Sequence, residues 1–298
     1  MNHNPKEIVA ALKRAQAAFL KQQYREALQD YMVVYDALGD QDPNIFPVMI
    51  EIGWTHYFLQ EYDQAAFFLE NAVREGHFPP AEVFDALRLI GFSYGSLGNG
   101  DRAIAFLQDA LAQPVEEFQK RQVYFELGKL FFHQNLSAEA RPYLRKALDL
   151  FLPEEIEYRN TTRYYLGFID ITDNDLTAAE KRFESIVREG QGKAKAPGLF
   201  GLAHLLYARK AYPQLQETVS KILENDPDFF DKETLTFFLC RTYVELRQWE
   251  LLEKFLPKFV DEYPHGRYKS TYPAFVKALR YRQPPPPKDD GTGGKLLN

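Results

Sequence analysis

The sequence predicts an all-α fold, a solenoid built from stacked helix pairs. Three observations carry this reading: a motif that recurs at a fixed interval, hydrophobic residues at helical spacing inside each copy, and turn or capping residues between its two halves. The motif opens on a small residue, at Ala15, Gly53, Gly91, Gly128, Gly167, Ala203 and Cys240, with successive gaps of 38, 38, 37, 39, 36 and 37 residues. A period of this size marks units that cannot bury their apolar faces alone and do so by stacking.

Each copy reads as two helices. In the second, Val48, Met49, Ile52, Gly53 and His56 fall on one stripe, and Ala65, Phe68, Leu69 and Ala72 on another, with the short polar stretch Leu59–Asp63 between them. Glycine inside a helix costs about 1 kcal/mol relative to alanine. Close approach of the facing helix explains its use, and Ala65 and Ala72 serve the same approach from the second helix. Turn chemistry agrees along the chain. Gly98-Asn99-Gly100-Asp101 reads as a turn and an N-cap, and Thr177-Ala178-Ala179-Glu180 as a capping box. Pro213 suits a first helical turn, and Asp226-Pro227 and Tyr263-Pro264 close the sixth and seventh copies. Pro142 and Pro257 fall inside second helices and are expected to kink or loosen them.

These residues resemble the tetratricopeptide repeat (TPR). The likeness rests on the apolar residue before the small one (Leu127-Gly128), the aromatic three further on (Tyr94, Phe131, Tyr243) and the turn aromatic (Tyr24, Tyr62, Tyr212, Trp249). The second-helix alanine (Ala27, Ala65, Ala103, Ala140, Ala179) and the closing proline (Pro227, Pro264) complete it, over roughly residues 7–264. The period exceeds the family's 34 residues, so extra residues are expected in longer second helices or in inter-repeat loops. Copies one, six and seven depart from the pattern: Arg14 precedes Ala15, Leu215 takes the second-helix alanine place, and Cys240 takes the glycine place. The resemblance implies a right-handed α-solenoid of about seven TPR-like helix pairs plus a C-terminal capping helix. It also implies a protein-interaction adaptor, in which the first helices line a concave groove holding a peptide or helix of a partner. One branch of the family grips a C-terminal carboxylate with Lys and Asn from three first helices. Here the corresponding places hold Leu12, Gln16, Glu51, Asp85 and Leu89, and two acids would repel a carboxylate.

The expected organisation is a repeat body over 1–267, a capping half-repeat helix over 268–283 and a disordered Pro/Gly tail over 284–298. The cap is read from Tyr272, Phe275, Val276 and Leu279 at helical spacing, with Ala278 lying 38 residues after Cys240. Composition narrows the function classes. A net charge of −6 argues against non-specific nucleic-acid binding. One cysteine, Cys240, excludes an intrachain disulfide. No apolar run is long enough to span a bilayer and the start does not read as a secretory signal, so a cytoplasmic protein is expected.

Function is expected on the stripe of the first helices beside the packing stripe. The candidate partner-binding residues are Trp54, Tyr57, Phe58, Arg88, Phe92, Lys129, Phe132, Tyr164, Phe168, His204, Tyr207 and Arg241. So many aromatics suit an amphipathic helix or apolar segment laid in a groove. The competing reading is that they pack between adjacent first helices and meet no ligand. The expected function is a non-catalytic adaptor binding another protein. The alternative is a self-assembling scaffold whose own C-terminal segment, or another copy, fills the groove. No catalytic residue, metal or cofactor is expected. Asp173, Asp175, Thr177 and Glu184 mimic a calcium loop, but Ala178 stands where the sharp turn needs glycine. Gly190-Gln191-Gly192-Lys193 lacks the spacing of a phosphate loop and is expected to be a flexible connection. His56 is expected to pack, His133 and His204 to face the groove as neutral polar groups, and Cys240 to be a small buried hydrophobe.

Overall fold

The structure, a computed structural model, describes residues 5–39 and 42–284. The tail expected beyond Pro284 lies outside the described residues. Among those described there are fifteen α-helices and no strand, and no helix is long and apolar enough to cross a membrane. The chain divides into two compact units, residues 1–150 and 151–298.

The first unit holds four helix pairs: α1 (Pro5–Leu20) with α2 (Tyr24–Leu38), α3 (Ile45–Phe58) with α4 (Tyr62–Glu75), α5 (Pro80–Ser96) with α6 (Gly100–Ala112), and α7 (Arg121–His133) with α8 (Ser137–Leu150). The second holds three pairs: α9 (Ile156–Thr172) with α10 (Leu176–Glu189), α11 (Ala196–Ala208) with α12 (Tyr212–Asn225), and α13 (Lys232–Glu245) with α14 (Trp249–Glu262). A single helix, α15 (Tyr272–Tyr281), follows. Tyr272, Phe275 and Ala278 are buried on it, and it packs against α13 and α14 of its own unit.

The small residue is explained by what faces it. A Cβ built on Gly53 would lie 2.5 Å from Leu69 Cγ, on Gly91 2.5 Å from Leu107 Cγ, and on Gly128 2.5 Å from Leu144 Cγ. On Gly167 it would meet Phe183 at 2.6 Å. The partner always stands sixteen residues on, and the remaining copies place Tyr31, Val219 and Leu256 there, all buried. In copies two to five a large side chain on the second helix therefore lies against the bare backbone of the first.

The hairpin turns share one solution. Each is three residues long, and a left-handed residue stands seven places after the small one, at Gln22, Gln60, Gly98, Asn135, Asn174, Lys210 and Arg247, with φ between 57° and 75°. The N–H of the next residue donates back five places, as in Glu61 N to His56 O at 2.9 Å and Gln248 N to Tyr243 O at 2.8 Å. This is the Schellman ending, which satisfies carbonyls that the first helix leaves open. Because the turns are fixed, the extra residues of the long period fall in the inter-repeat connections. Side chains close several of these: Lys120 Nζ donates to Leu111 O at 2.8 Å, Arg159 to Phe151 O at 2.9 Å, and the Tyr272 hydroxyl to Tyr263 O at 2.7 Å.

One local expectation is corrected. The α10 N-cap is Asp175, whose carboxylate accepts from Ala178 N, and Thr177 lies inside the helix. An acid in the turn satisfies the free N–H groups two residues earlier than the capping-box pattern suggested. Gly190 ends α10, and Gly192–Lys195 form a short 3₁₀ turn within the connection to α11. Helices α8 and α14 run on through Pro142 and Pro257. Both prolines, and the residues Ala138 and Glu253 whose carbonyls they leave free, sit on exposed faces where water can serve as donor.

Gly91→Ala is expected to lower stability by about 1–3 kcal/mol through overpacking. Combined with Leu107→Ala it should cost less than the two single changes summed, as read by denaturant unfolding of the four variants. Lys210→Gly is expected to raise stability by about 1 kcal/mol by relieving the left-handed backbone. Lys210→Val should lower it, since a β-branched residue tolerates that conformation worst; thermal melts of both check the pair.

Candidate functional site

In the first unit the stripe of the first helices, with the turn aromatics Tyr24 and Tyr62 that open α2 and α4, forms a connected run of rings. Tyr24 and Phe58 stack at 5.0 Å with planes 9° apart, and Phe19 sets its edge on both at 5.4 and 5.7 Å. Trp54 lies 6.2 Å from Phe58, and Tyr57 5.8 Å from it and 5.7 Å from Tyr62. The cluster is wet on one side: Phe58 is 42% exposed and Leu20, next to Phe19, is 83% exposed. Trp54, Tyr57 and Phe92 are half-buried, with their inner sides against the core of this unit. Phe19 and Leu20 were missed by the sequence argument, which began the stripe at the second copy. Phe19 stands four places after Ala15, as Tyr57 does after Gly53.

Polar residues continue this face along α5 and α7. Arg88 donates to Asp85 at 3.0 Å on its own helix and to Gln122 at 3.2 Å on α7, with its guanidinium 5.7 Å above Phe92. Lys129 pairs with Glu126 at 2.6 Å, and Phe132 is half-buried beside the exposed His133. Glu51 accepts from the Tyr31 hydroxyl at 3.0 Å. Burial pushes the Glu51 carboxyl up, against the lowering effect of that hydrogen bond. The cations of this face are thus held by its acids, and the exposed apolar edge is its least satisfied part.

The second unit spends the same stripe on itself. Phe168 is 2% exposed, wedged among Tyr164 (4.8 Å), His204 (5.1 Å), Phe183 (5.3 Å) and Phe200 (6.2 Å). His204 is 5% exposed, with its rings at 4.5 Å from Phe200 and 5.0 Å from Phe238, and its Nδ1 donates to Phe200 O at 2.9 Å. Neither side chain has a surface for a partner, so the expectation that both face a groove is corrected. The cause is bulk: Phe183 stands where copies two to four have leucine, and Gly198 and Gly201 let α11 close onto it. Tyr164 is half-buried with its hydroxyl pushed up by burial, Tyr207 stacks on Phe238 at 5.1 Å, and Arg241 pairs with Glu245 at 3.0 Å. Phe237 stacks at 4.1 Å on Tyr268, whose hydroxyl meets Thr234 Oγ1 at 3.0 Å.

The buried groups His56, Cys240 and His204 serve packing. His56 is buried, stacked on Phe68 at 5.5 Å, with Nδ1 2.6 Å from Glu61. Cys240 is fully buried, and burial pushes its thiol up to about 12. Burial pulls His204 down to about 4 from its ordinary 6.5, opposed by the Phe200 carbonyl. A depressed pKa means that the unfolded chain takes the proton first, so this contribution is complete above pH 6.5 and is lost as pH falls toward 4. Stability is expected to fall by about 1–3 kcal/mol over that window. A His204→Gln variant should lose that part of the slope in urea titrations at stepped pH.

The sequence model of the tetratricopeptide repeat matches residues 122–151. No curated protein matches the chain. Among solved structures, the apo form of RapI is similar at a TM-score of 0.65 and 12% identity, over 97% of this chain and 85% of that one. The apo form of the quorum sensor NprR from B. thuringiensis gives 0.65 at 12% identity, over 93% and 82%. A Rap protein complexed with Competence and Sporulation Factor gives 0.55 at 12% identity, over 98% and 88%. Residues 122–151 thus match a tetratricopeptide repeat, and the same register of helix pairs runs from Ala15 to Cys240, so the fold is an all-α solenoid of TPR-like helix pairs.

Proposed function

We propose that this chain is a non-catalytic adaptor that binds an apolar or amphipathic segment of another protein on the first-helix face of its N-terminal unit. The observation that carries the reading is the solvent-facing edge of the Phe19–Tyr24–Phe58 ring cluster with Trp54 and Tyr57. Such rings bury much area with few rotors, which is why aromatics dominate the energetics of interfaces. In this reading Trp54, Tyr57, Phe58 and Phe92 anchor the partner, while Arg88, Lys129 and Phe132 set its register. Tyr164, Tyr207 and Arg241 belong to the other unit and stay outside this site. The complex of a Rap protein with Competence and Sporulation Factor supports the reading by analogy of fold, since a chain of this architecture there holds another molecule.

A photo-crosslinking residue placed at Phe58 or Phe92 in native cells is expected to yield one defined protein adduct. The same residue at Gln108, exposed on the second helix α6, should not. Against the captured partner, Trp54→Ala is expected to weaken binding by about 30-fold, the scale of an aromatic hot spot. Adducts of equal yield from Gln108, or unchanged affinity in Trp54→Ala, would contradict the assignment.

A further inference from the structure

The hairpin turn between α13 and α14 meets the end of α15 at an open cleft of about 300 Å³, lined by Arg247, Gln248, Trp249, Glu250, Leu251 and Arg282. This place is separate from the first-helix face of the other unit, and the adaptor reading makes no use of it. Its two cations come from different positions in the fold. Arg247 is the left-handed residue of the seventh hairpin turn, and Arg282 is the left-handed residue that ends α15. Most arginines of the chain that sit near an acid are paired with it, including Arg14, Arg102, Arg182, Arg209 and Arg267. Arg247 and Arg282 have no carboxylate partner among the described residues, although Glu250 lines the same cleft. Trp249 and Leu251 add apolar surface beside them, and α14 begins there without a side-chain cap, so the positive end of its dipole opens on the same space.

We propose that this cleft binds an organic anion, a phosphate or carboxylate carried on an apolar body. Two arginines lining one cleft suit an oxyanion. The indole offers a flat apolar face for the rest of the molecule. Two cations against one acid leave room for a single anionic group.

Trp54→Phe leaves Trp249 as the sole tryptophan, so its emission reports on the cleft. Phenyl phosphate titrated into that variant at constant ionic strength is expected to change the emission saturably. Inorganic phosphate should bind about fivefold more weakly or worse, because it forgoes the indole. Arg247→Gly and Arg282→Gly, each in the same background, remove a guanidinium while easing a left-handed backbone. Both should melt no lower than their parent and lose about tenfold in affinity, a combination that damage to the fold cannot produce. A phosphotyrosine peptide that binds more tightly than phenyl phosphate would assign the anion to a protein, and equal binding would assign it to a free small molecule. A linear, non-saturating response, unchanged affinity in both glycine variants, or inorganic phosphate binding as well as phenyl phosphate would overturn the proposal.

Discussion

The close approach of two helix backbones at one point in each pair governs this molecule. In copies two to five a glycine on the first helix meets a large side chain sixteen residues later on the second with no room for a Cβ between them, and in the other copies alanine or cysteine holds the same place. Packing of that kind tolerates neither voids nor extra methylenes. It fixes the register of the pair, and the three-residue Schellman turn follows from it, because both helix ends are then set. With turn and register fixed, the period lengthens only where one pair hands over to the next.

That register decides what the neighbouring stripe can do. In the first unit the residue after the small one is Gln16, Trp54, Phe92 or Lys129, and the ring cluster around Phe58 keeps an open edge. In the second unit the same place holds Phe168, His204 and Arg241, and the rings of three first helices interlock around Phe168 and His204. Phe183 and the paired glycines of α11 draw that wall inward, and Tyr268 closes its far side by stacking on Phe237. One repeat pattern thus yields a surface in one unit and a core in the other.

The helix pairs were legible in the sequence because their causes are local and periodic. The small residue, the second-helix alanine and the turn aromatic each repeat with the register. The left-handed residue also repeats with it, yet its identity varies from Gly98 to Asn135 to Arg247, so composition hid it where spacing would have found it. The α10 cap was read two residues late because Thr177 and Glu180 imitate a capping box while Asp175 does the capping. The fate of the aromatics was not legible from the stripe alone. Whether Phe168 or Phe92 reaches solvent depends on the bulk at position 183 against position 107 and on glycines in the next first helix, contacts that single-helix periodicity does not encode.

Hydroxyl-radical footprinting of the full chain, with oxidation rates read for each aromatic side chain, tests this contrast most directly. The account predicts fast modification of Phe58 and Trp54, and protection of Phe168, Phe237 and Phe238 until the protein unfolds. Protection of Phe58 and Trp54 in the isolated protein, or ready oxidation of Phe168, would contradict it.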